Sequence, residues 1–495
     1  MRLANPGHRR NPKMPNLGQL AGKTGHQDIL NNEDVKAFQA DHKDVPRPDS
    51  QTMEDVFVSC PRASTFTGKL PALIIATDGS YYEASAGERE PSRRVGYIKI
   101  GMVGLNMDAY AKLGVSSVYV DPMAVNRLLS SDALSMALPG SHMKRPEFLT
   151  AAEGYRSYVQ KYFDGSQTIL TQSQDTLLDT LVVLLEYLGD VVENGGKTCV
   201  RVKGCPNPEC ITNEIPQDGT PPIKPIYFVP VTERRVICNK CDGKVFIVDA
   251  IRIGEAFVES GTNGEVYGRT MLVAEHLLVA HWIRIYRDHD LTLLSHVGFV
   301  MDGPLSVSGE SAKIHKAMLM LINDTNERLA ANGDGPLLVM GLTKTGIAVD
   351  HFANLNWPMP GETGDDELRD LAFAITDDYR YTYITPKPRT NGKPFGSETY
   401  YGQDVFIRTA RGHEFVITLP YPVRTKGDAD FQNRFDISRY ATAGIAFDVI
   451  RTLESDLFKN ALIPVILAHE HASISLVPGG KVLDLATAQV LGTVK

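Results

Sequence analysis

The chain has 495 residues, 43% of them hydrophobic, which is enough to bury a large core of two to four structural units. Its formal net charge of −8 gives no overall attraction for nucleic acid, so contact with a polyanion requires a local basic surface, a bound cation or a partner. No N-terminal apolar segment resembles a secretory signal and no uncharged run is long enough to span a bilayer. We therefore expect a cytoplasmic protein without membrane contact.

The first predicted strand follows a polar N-terminal region. Residues 1–50 are poor in aromatic side chains, which predicts a flexible tail. The apolar run Leu73–Thr77 then breaks at Asp78-Gly79, which predicts a buried strand with a carboxylate at its tip. A second strand-like run, Arg93–Leu105, is expected to pair with it in antiparallel orientation.

A long amphipathic helix is predicted next. The segment Asp175–Asn194 carries leucines at helical spacing, and Gly195-Gly196 follows as a helix stop. Its broad leucine face is interpreted as core, with a dimer interface as the alternative.

Four of the six cysteines form two close pairs, Cys205 with Cys210 and Cys238 with Cys241. This spacing predicts a tetrahedral four-cysteine Zn²⁺ site of the zinc-ribbon kind. Because nothing marks the chain as secreted, metal ligation is favoured over disulfides. Four thiolates close the coordination shell, so this metal is expected to be structural.

A second strand-Asp-Gly unit follows a predicted helix. Residues Gly268–Arg287 have helical apolar spacing around Glu275, which places a carboxylate on an apolar face. Burying an unpaired carboxylate is costly, and a bound cation, a buried arginine or a raised pKa can offset the cost. A metal-facing role for Glu275 and a salt bridge to Arg269 or Arg252 therefore both stay open. The run Val297–Met301 then ends at Asp302-Gly303. Two aspartates at neighbouring strand tips suit a hard divalent cation that activates water.

The C-terminal half supplies basic candidates and a histidine. Lys344 follows a predicted strand at residues 335–340, where it is placed to meet a phosphate. Residues 386–401 interleave cations with aromatic rings, a pattern that suits single-stranded nucleic acid. That loop carries Lys387, Arg389 and Lys393 with Phe395, Tyr400 and Tyr401.

The order of these motifs resembles the NurA nucleases, which are manganese-dependent DNA end-processing enzymes with an RNase H-like core. The resemblance rests on the two strand-Asp-Gly units, the helix with Glu275, the strand leading to Lys344, and the late Ala468-His469-Glu470-His471-Ala472. It implies that Asp78, Glu275 and Asp302 bind catalytic Mn²⁺ or Mg²⁺ and that His469 completes the site.

The chain departs from this family in spacing. Asp78 and Glu275 lie 275 − 78 = 197 positions apart, so the resemblance implies an insertion between them. Glu255 and Glu259 are therefore competing candidates for the third acid. His469 and His471 would share a face if their segment were a strand, so His471 also stays open.

The predicted architecture is an α/β fold with an RNase H-like mixed sheet flanked by helices and a small zinc-ribbon insertion. The predicted divisions are a flexible tail at 1–50, the first part of the core with a helical insertion at 51–195, the zinc-ribbon-like insertion at 196–250 and the second part of the core at 251–495. No phosphate-binding Gly-x-x-x-x-Gly-Lys-Ser/Thr sequence occurs anywhere in the chain.

The resemblance accordingly implies a homodimer that uses a HerA-type hexameric ATPase as its motor on DNA. Such pairs serve DNA end processing or anti-phage defence, and both roles stay open. The alternative is a zinc-ribbon scaffold on a nuclease-like fold that binds DNA or the motor without cutting.

Overall fold

The computed structural model describes twelve stretches of the chain: residues 29–41, 47–49, 52, 65–87, 92–113, 129–165, 174–213, 224–355, 370–385, 393–455, 460–474 and 479–491. They belong to two compact units, residues 1–47 and residues 48–495. The first unit contains a short helix, α1, within the region predicted as a flexible tail. The boundaries predicted at residues 195 and 250 stay predictions.

Thirteen strands are present in the described residues. They are β1 Leu73–Ser85, β2 Arg94–Asn106, β3 Leu129–Pro139, β4 Val191–Asn194, β5 Lys197–Lys203, β6 Ile226–Pro230, β7 Arg235–Ile237, β8 Lys244–Phe246, β9 Val297–Asp302, β10 Leu338–Thr343, β11 Leu371–Ala374, β12 Gly402–Arg408 and β13 Glu414–Pro420.

The helices that matter for the fold lie between and after these strands. They are α1 Glu33–Asp41, α2 Met107–Leu113, α3 Ala151–Phe163, α4 Leu177–Tyr187, α5 Gly264–His289, α6 Ile314–Asn332, α7 Ile347–Ala353, α8 Ala443–Leu453, α9 Ile463–Ala472 and α10 Lys481–Val490.

Eight strands form one mixed sheet in the order β11-β12-β13-β10-β9-β1-β2-β3. The predicted antiparallel pairing of the first two strands is confirmed, with Asp78 opposite Gly101. Strand β9 lies parallel to both β1 and β10. The antiparallel unit β1-β2-β3 continued by parallel β9 and β10 is the mixed sheet expected of an RNase H-like fold.

The sheet separates two hydrophobic cores. Because side chains alternate along a strand, Ile75 of β1 faces one core while Ile74 and Ala76 face the other. Helices α3, α4, α5 and α6 cover the Ile75 face, and α8 and α9 cover the Ile74 face. The strand β9 is buried along its apolar run, as expected for a parallel strand with helices on both sides.

The predicted helix at residues 175–194 is wrong in its second half. Helix α4 begins with a capping box between Thr176 and Asp179 and ends at Tyr187. Gly189 then adopts a positive φ, and the β-branched pair in Val191–Asn194 forms strand β4. Gly195-Gly196, both with positive φ, is the tight turn of the β4–β5 hairpin and not a helix stop.

Within the described residues, no helix has the length and apolar character needed to cross a bilayer.

Candidate metal centre

Asp78 lies in the middle of a long strand and not at a strand tip. Strand β1 runs on to Ser85, so the prediction that it ends at Asp78-Gly79 is wrong. Gly79 is in extended backbone and has a steric role. A Cβ atom there would overlap the Glu275 carboxylate and lie 2.7 Å from Cγ of Met271.

Asp302 stands at the end of the neighbouring strand, as expected. The parallel register pairs Thr77 with Met301, which brings Asp78 and Asp302 side by side. Gly303 follows with a φ of 96°, so the regular strand ends at the carboxylate, and a single bridge from Gly303 to Leu342 remains. Lys344 Nζ lies 2.6 Å from Asp302 Oδ2 in an ion pair.

His469 reaches the same position from helix α9. Its Nδ1 lies 2.6 Å from Asp78 Oδ2, and its side chain is 57% exposed, whereas that of Asp78 is 9% exposed. The helix can approach this closely because β2 carries Gly101 here, where a Cβ would stand 2.8 Å from the carbonyl oxygen of Ala468.

The helical form of this segment separates the two candidate histidines. In a helix, positions i and i+2 point about 200° apart, so His471 cannot share the direction of His469. The condition under which both histidines would share a face, a strand at this position, is not met, because the segment is helix α9. Of these two histidines, only His469 contacts Asp78.

Glu275 approaches from the opposite face of the sheet. Helix α5 packs on the Ile75 face, and the space left by Gly79 admits the carboxylate to the strand backbone. The residue is 6% exposed, and no described arginine or lysine forms an ion pair with it. The alternative partners are engaged elsewhere, with Arg269 paired to Glu265 and Glu310 and Arg252 paired to Glu255.

The competing acids are placed in other roles. Glu255 binds Arg252 at the surface. Glu259 accepts hydrogen bonds from the backbone N–H groups of Ala151 and Ala152 at 3.0 and 2.9 Å, at the start of α3. A carboxylate at a helix N-terminus is stabilised there, so Glu259 is explained without metal.

The carboxyl groups of Glu275 and Asp302 are largely removed from water and lie close to other negative charges. Burial, followed by the charges of Asp78 and Asp302, raises the pKa of Glu275 well above its usual value. Burial and the Asp78 charge also raise the pKa of Asp302 to about 6, although Lys344 opposes this shift. A divalent cation relieves both costs, since it supplies the missing positive charge.

The donor set fits a hard divalent cation. Ligand atoms of Asp78, Asp302 and His469 lie within 4.8 Å of one another. The Glu275 carboxylate adds a fourth group within electrostatic reach of both aspartates. Carboxylate oxygens with a single imidazole suit Mn²⁺ or Mg²⁺ better than the softer metals that prefer thiolates.

The four predicted zinc ligands also converge. Cys205 Sγ lies 3.6 Å from Cys241 Sγ, and Cys210 Sγ lies 3.8 Å from Cys238 Sγ. Zinc–sulfur bonds of about 2.3 Å in a tetrahedron place sulfurs about 3.8 Å apart. All four thiols are free of disulfides, so the cluster is compatible with zinc.

One thiol of the cluster, that of Cys238, has a lowered pKa and so ionises more readily than an ordinary cysteine. Burial opposes ionisation of Cys238, but a hydrogen bond with the Tyr227 hydroxyl at 3.0 Å and backbone N–H groups lower its pKa to about 6. Metal ligation requires the thiolate form.

The predicted substrate-binding residues lie in different parts of the structure. Lys344 lies at the acidic cluster, whereas Lys393 is at the surface in an ion pair with Glu398. Lys387 and Arg389 lie outside the described residues. The predicted stacking role of Tyr401 is wrong, because its ring is completely buried.

The other two rings of that loop are also packed. Phe395 and Tyr400 lie edge to face with ring centroids 5.1 Å apart, and the Arg380 guanidinium covers the Phe395 ring at 4.0 Å. These rings stabilise the loop and do not form an open stacking surface.

The fold and the acidic cluster together define an α/β protein with a candidate divalent-cation centre of the kind that hydrolases use. No protein-family model matches the chain, and no curated protein matches it. Solved structures of NurA nucleases, the family that the motif order resembles, do align with it.

Three such structures illustrate the level of similarity. The NurA nuclease from Sulfolobus solfataricus has 10% identity over 95% of this chain and 98% of its own, with a TM-score of 0.28. A second NurA structure has 9% identity over 90% and 93%, with a TM-score of 0.27. A NurA structure bound to dAMP and manganese has 10% identity over 92% and 94%, with a TM-score of 0.26. With TM-scores this low, the site geometry has to carry any functional argument.

Proposed function

We propose that the chain is a metal-dependent nuclease of the NurA type that hydrolyses phosphodiester bonds in DNA. The observation that supports this most is the meeting of Asp78, Asp302 and His469 with a buried Glu275 that has no described cationic partner. A scaffold without catalysis has no physical reason to keep repelling carboxylates together inside a core.

The chain's own residues have separable roles in this proposal. Asp78, Glu275 and Asp302 hold one or two Mn²⁺ or Mg²⁺ ions, which when bound activate water and stabilise the leaving oxygen. Asp78 fixes the ring of His469 through Nδ1, which leaves the exposed Nε2 to coordinate metal or to give a proton to the leaving oxygen. Lys344 lies beside Asp302, and with a cation bound there its ammonium group would be available to contact the substrate phosphate.

We assign the second metal to structure. One Zn²⁺ per chain is held by Cys205, Cys210, Cys238 and Cys241, whose four thiolates leave no open coordination position for substrate.

Cleavage of end-labelled linear DNA tests the catalytic proposal. Single-stranded and duplex substrates are incubated with purified protein and Mn²⁺, Mg²⁺ or no added metal. We expect metal-dependent cleavage by the wild type and none by Asp302→Ala. Absence of cleavage by the wild type with either metal supports the scaffold alternative, and substantial Mn²⁺-supported cleavage by Asp302→Ala refutes the site.

The assembly is also a proposal. A negatively charged nuclease without a phosphate-binding loop has weak means to hold or advance DNA, so we assign it a homodimer and a HerA-type hexameric ATPase as partner. Such an assembly serves DNA end processing or anti-phage defence. Degradation of kilobase duplex should become ATP-dependent when the motor is added. Efficient ATP-independent degradation by the isolated protein contradicts this arrangement.

A further inference from the structure

The three-stranded sheet β4-β5-β6 next to the cysteine cluster has one exposed face with an unusual composition. In the β5–β6 register, Arg201 lies opposite Phe228 and Lys203 lies opposite Ile226. Directly opposed residues of antiparallel strands project on the same side, so these four side chains share one face. Phe228 is 37% exposed and Ile226 is 53% exposed.

The opposite face of this sheet is fixed in place. Val200, Val202 and Val229 point into the core and are buried. Tyr227, between the two exposed residues of β6, points inward and its hydroxyl contacts Cys238 Sγ at 3.0 Å. The exposed face is therefore a rigid platform supported from behind by the cysteine cluster.

The charge on the platform is positive. Lys203 and Lys224 are exposed, and neither has an ion-pair partner among the described residues. Arg201, at the other end of the face, is 40% exposed and pairs with Asp190. Neither β5 nor β6 contains an acidic residue, so these strands add no negative charge to the face.

An aromatic ring at a sheet edge, opposite an arginine and near two lysines that have no described ion-pair partner, has the composition of a single-strand nucleic-acid platform. Cations follow the phosphate backbone while a base stacks on the ring, without sequence readout. β6 is the outer strand of its sheet, so the ring lies at the border of the sheet.

We propose that the face formed by Arg201, Lys203, Ile226 and Phe228, together with Lys224 just before β6, binds single-stranded nucleic acid. This inference deepens the proposed nuclease function and rests on it for the identity of the substrate. In this inference the structural zinc supports nucleic-acid binding indirectly, because the cysteine cluster packs against the buried side of the platform.

Binding of a fluorescein-labelled 20-mer of thymidylate, followed by anisotropy without added Mn²⁺ or Mg²⁺, tests the proposal on the zinc-loaded full chain. Phe228→Leu keeps the apolar bulk but removes the stacking ring, and we expect about tenfold weaker binding. Phe228→Tyr restores a ring and should bind within about twofold of the wild type. Equal zinc content in all variants shows that the module is intact.

The charge contribution is tested separately by salt dependence. Lys203→Ala with Lys224→Ala should lower the slope of log affinity against log salt by about 1.4, since each phosphate contact on a single strand contributes about 0.7. Lys481→Ala removes one charge elsewhere, at an exposed lysine of α10 that pairs with no described residue, and should leave the slope unchanged.

Two results overturn the inference. In the first, Phe228→Leu and the double lysine variant both bind the 20-mer within twofold of the wild type. In the second, Phe228→Leu weakens binding to single-stranded and duplex DNA equally. A separate assay distinguishes failure of the nuclease proposal. If the wild type fails to hydrolyse DNA or bis-p-nitrophenyl phosphate with Mn²⁺ yet binds the 20-mer through Phe228, the platform stands and the nuclease assignment falls.

Discussion

The residue after Asp78 is a glycine in extended backbone, and its missing side chain leaves the space in which the Glu275 carboxylate lies. The sequence motif suggested a turn at this point, because Asp-Gly is common in turns. What requires glycine here is a long-range contact with α5, which no local pattern reveals. The sequence did hint at this contact, because Glu275 lies on the apolar face of α5. A carboxylate on such a face needs either a cation or a space next to the strand backbone.

Gly79→Ala should eliminate Mn²⁺-dependent cleavage while leaving the protein folded. The added methyl overlaps the Glu275 carboxylate and crowds Met271, so the acid is displaced from the aspartates. We expect a rate loss of about 100-fold or more, given that metal-supported charge stabilisation contributes several kcal/mol. Gly335→Ala, where a Cβ meets nothing within 4 Å, is the matched control and should cleave normally. A fully active Gly79→Ala contradicts the placement of Glu275.

The metal-free protein should lose stability as pH rises from about 4 to about 6 through Asp302. Its pKa in the folded state is about 6 against an ordinary value of 3.8 for an aspartate, so the folded protein binds more protons than the unfolded one in this range. Asp302→Asn should therefore be more stable than the wild type above pH 6, by on the order of 2 kcal/mol.

This gain should vanish below pH 4, where the carboxyl is protonated in both states. Buried His276, His281 and His315, whose pKa values burial lowers to about 4, act oppositely and destabilise the fold in acid. Comparing the variant with the wild type at each pH cancels their effect. Denaturant unfolding of both proteins without divalent cations makes the measurement, and a pH-independent difference contradicts it.

At the scale of single elements, the helical form of α9 determines which of His469 and His471 contacts Asp78. Helical geometry sends His469 to Asp78 and His471 elsewhere, so the choice depends on a secondary structure that the short motif Ala-His-Glu-His-Ala does not specify. Strand β1 and helix α4 show the same limit. The hydrophobic periodicity predicted that the strand and the helix exist. It did not predict where they end, because their ends depend on contacts with neighbouring elements and on the conformation of glycine residues.

His469→Ala should reduce Mn²⁺-dependent cleavage by about 100-fold, a typical contribution of a proton-transfer group. His471→Ala is the matched control two positions along the same helix, and its rate should stay within about threefold of the wild type. Equal zinc content and equal melting temperatures establish that neither change disturbs the fold. If His471→Ala is inactive and His469→Ala is active, the geometry of α9 is misassigned.

At the scale of the whole molecule, the cysteine cluster is continuous with the main hydrophobic core. Cys205, Cys210 and Cys238 belong to the same buried cluster as Ile75 of β1 and Leu277 of α5. The sequence identified the four ligands because cysteine pairs are specific signals, and the sheet because its strands are strongly apolar. It could not show that the cysteine-containing segment shares a core with helix α5, since that depends on contacts between distant segments.

Losing the zinc site should therefore destabilise the whole second unit. The purified protein should contain about one zinc per chain, and Cys238→Ser with Cys241→Ser should release it at a cost on the order of several kcal/mol of folding free energy. Metal analysis and thermal unfolding provide the readouts. Cys199→Ser, a buried thiol outside the cluster, should retain zinc. Freshly purified wild type without zinc refutes the assignment.

The central claim is that a divalent cation held by Asp78, Asp302, Glu275 and His469 supports phosphodiester hydrolysis. The most direct measurement is the Mn²⁺-dependent cleavage rate of linear DNA by Glu275→Gln beside Glu255→Gln. The two changes are chemically identical, but Glu275 faces the aspartates whereas Glu255 binds Arg252 at the surface. We predict a loss of about 100-fold or more for Glu275→Gln and an unchanged rate for Glu255→Gln. An active Glu275→Gln together with an inactive Glu255→Gln would contradict the account.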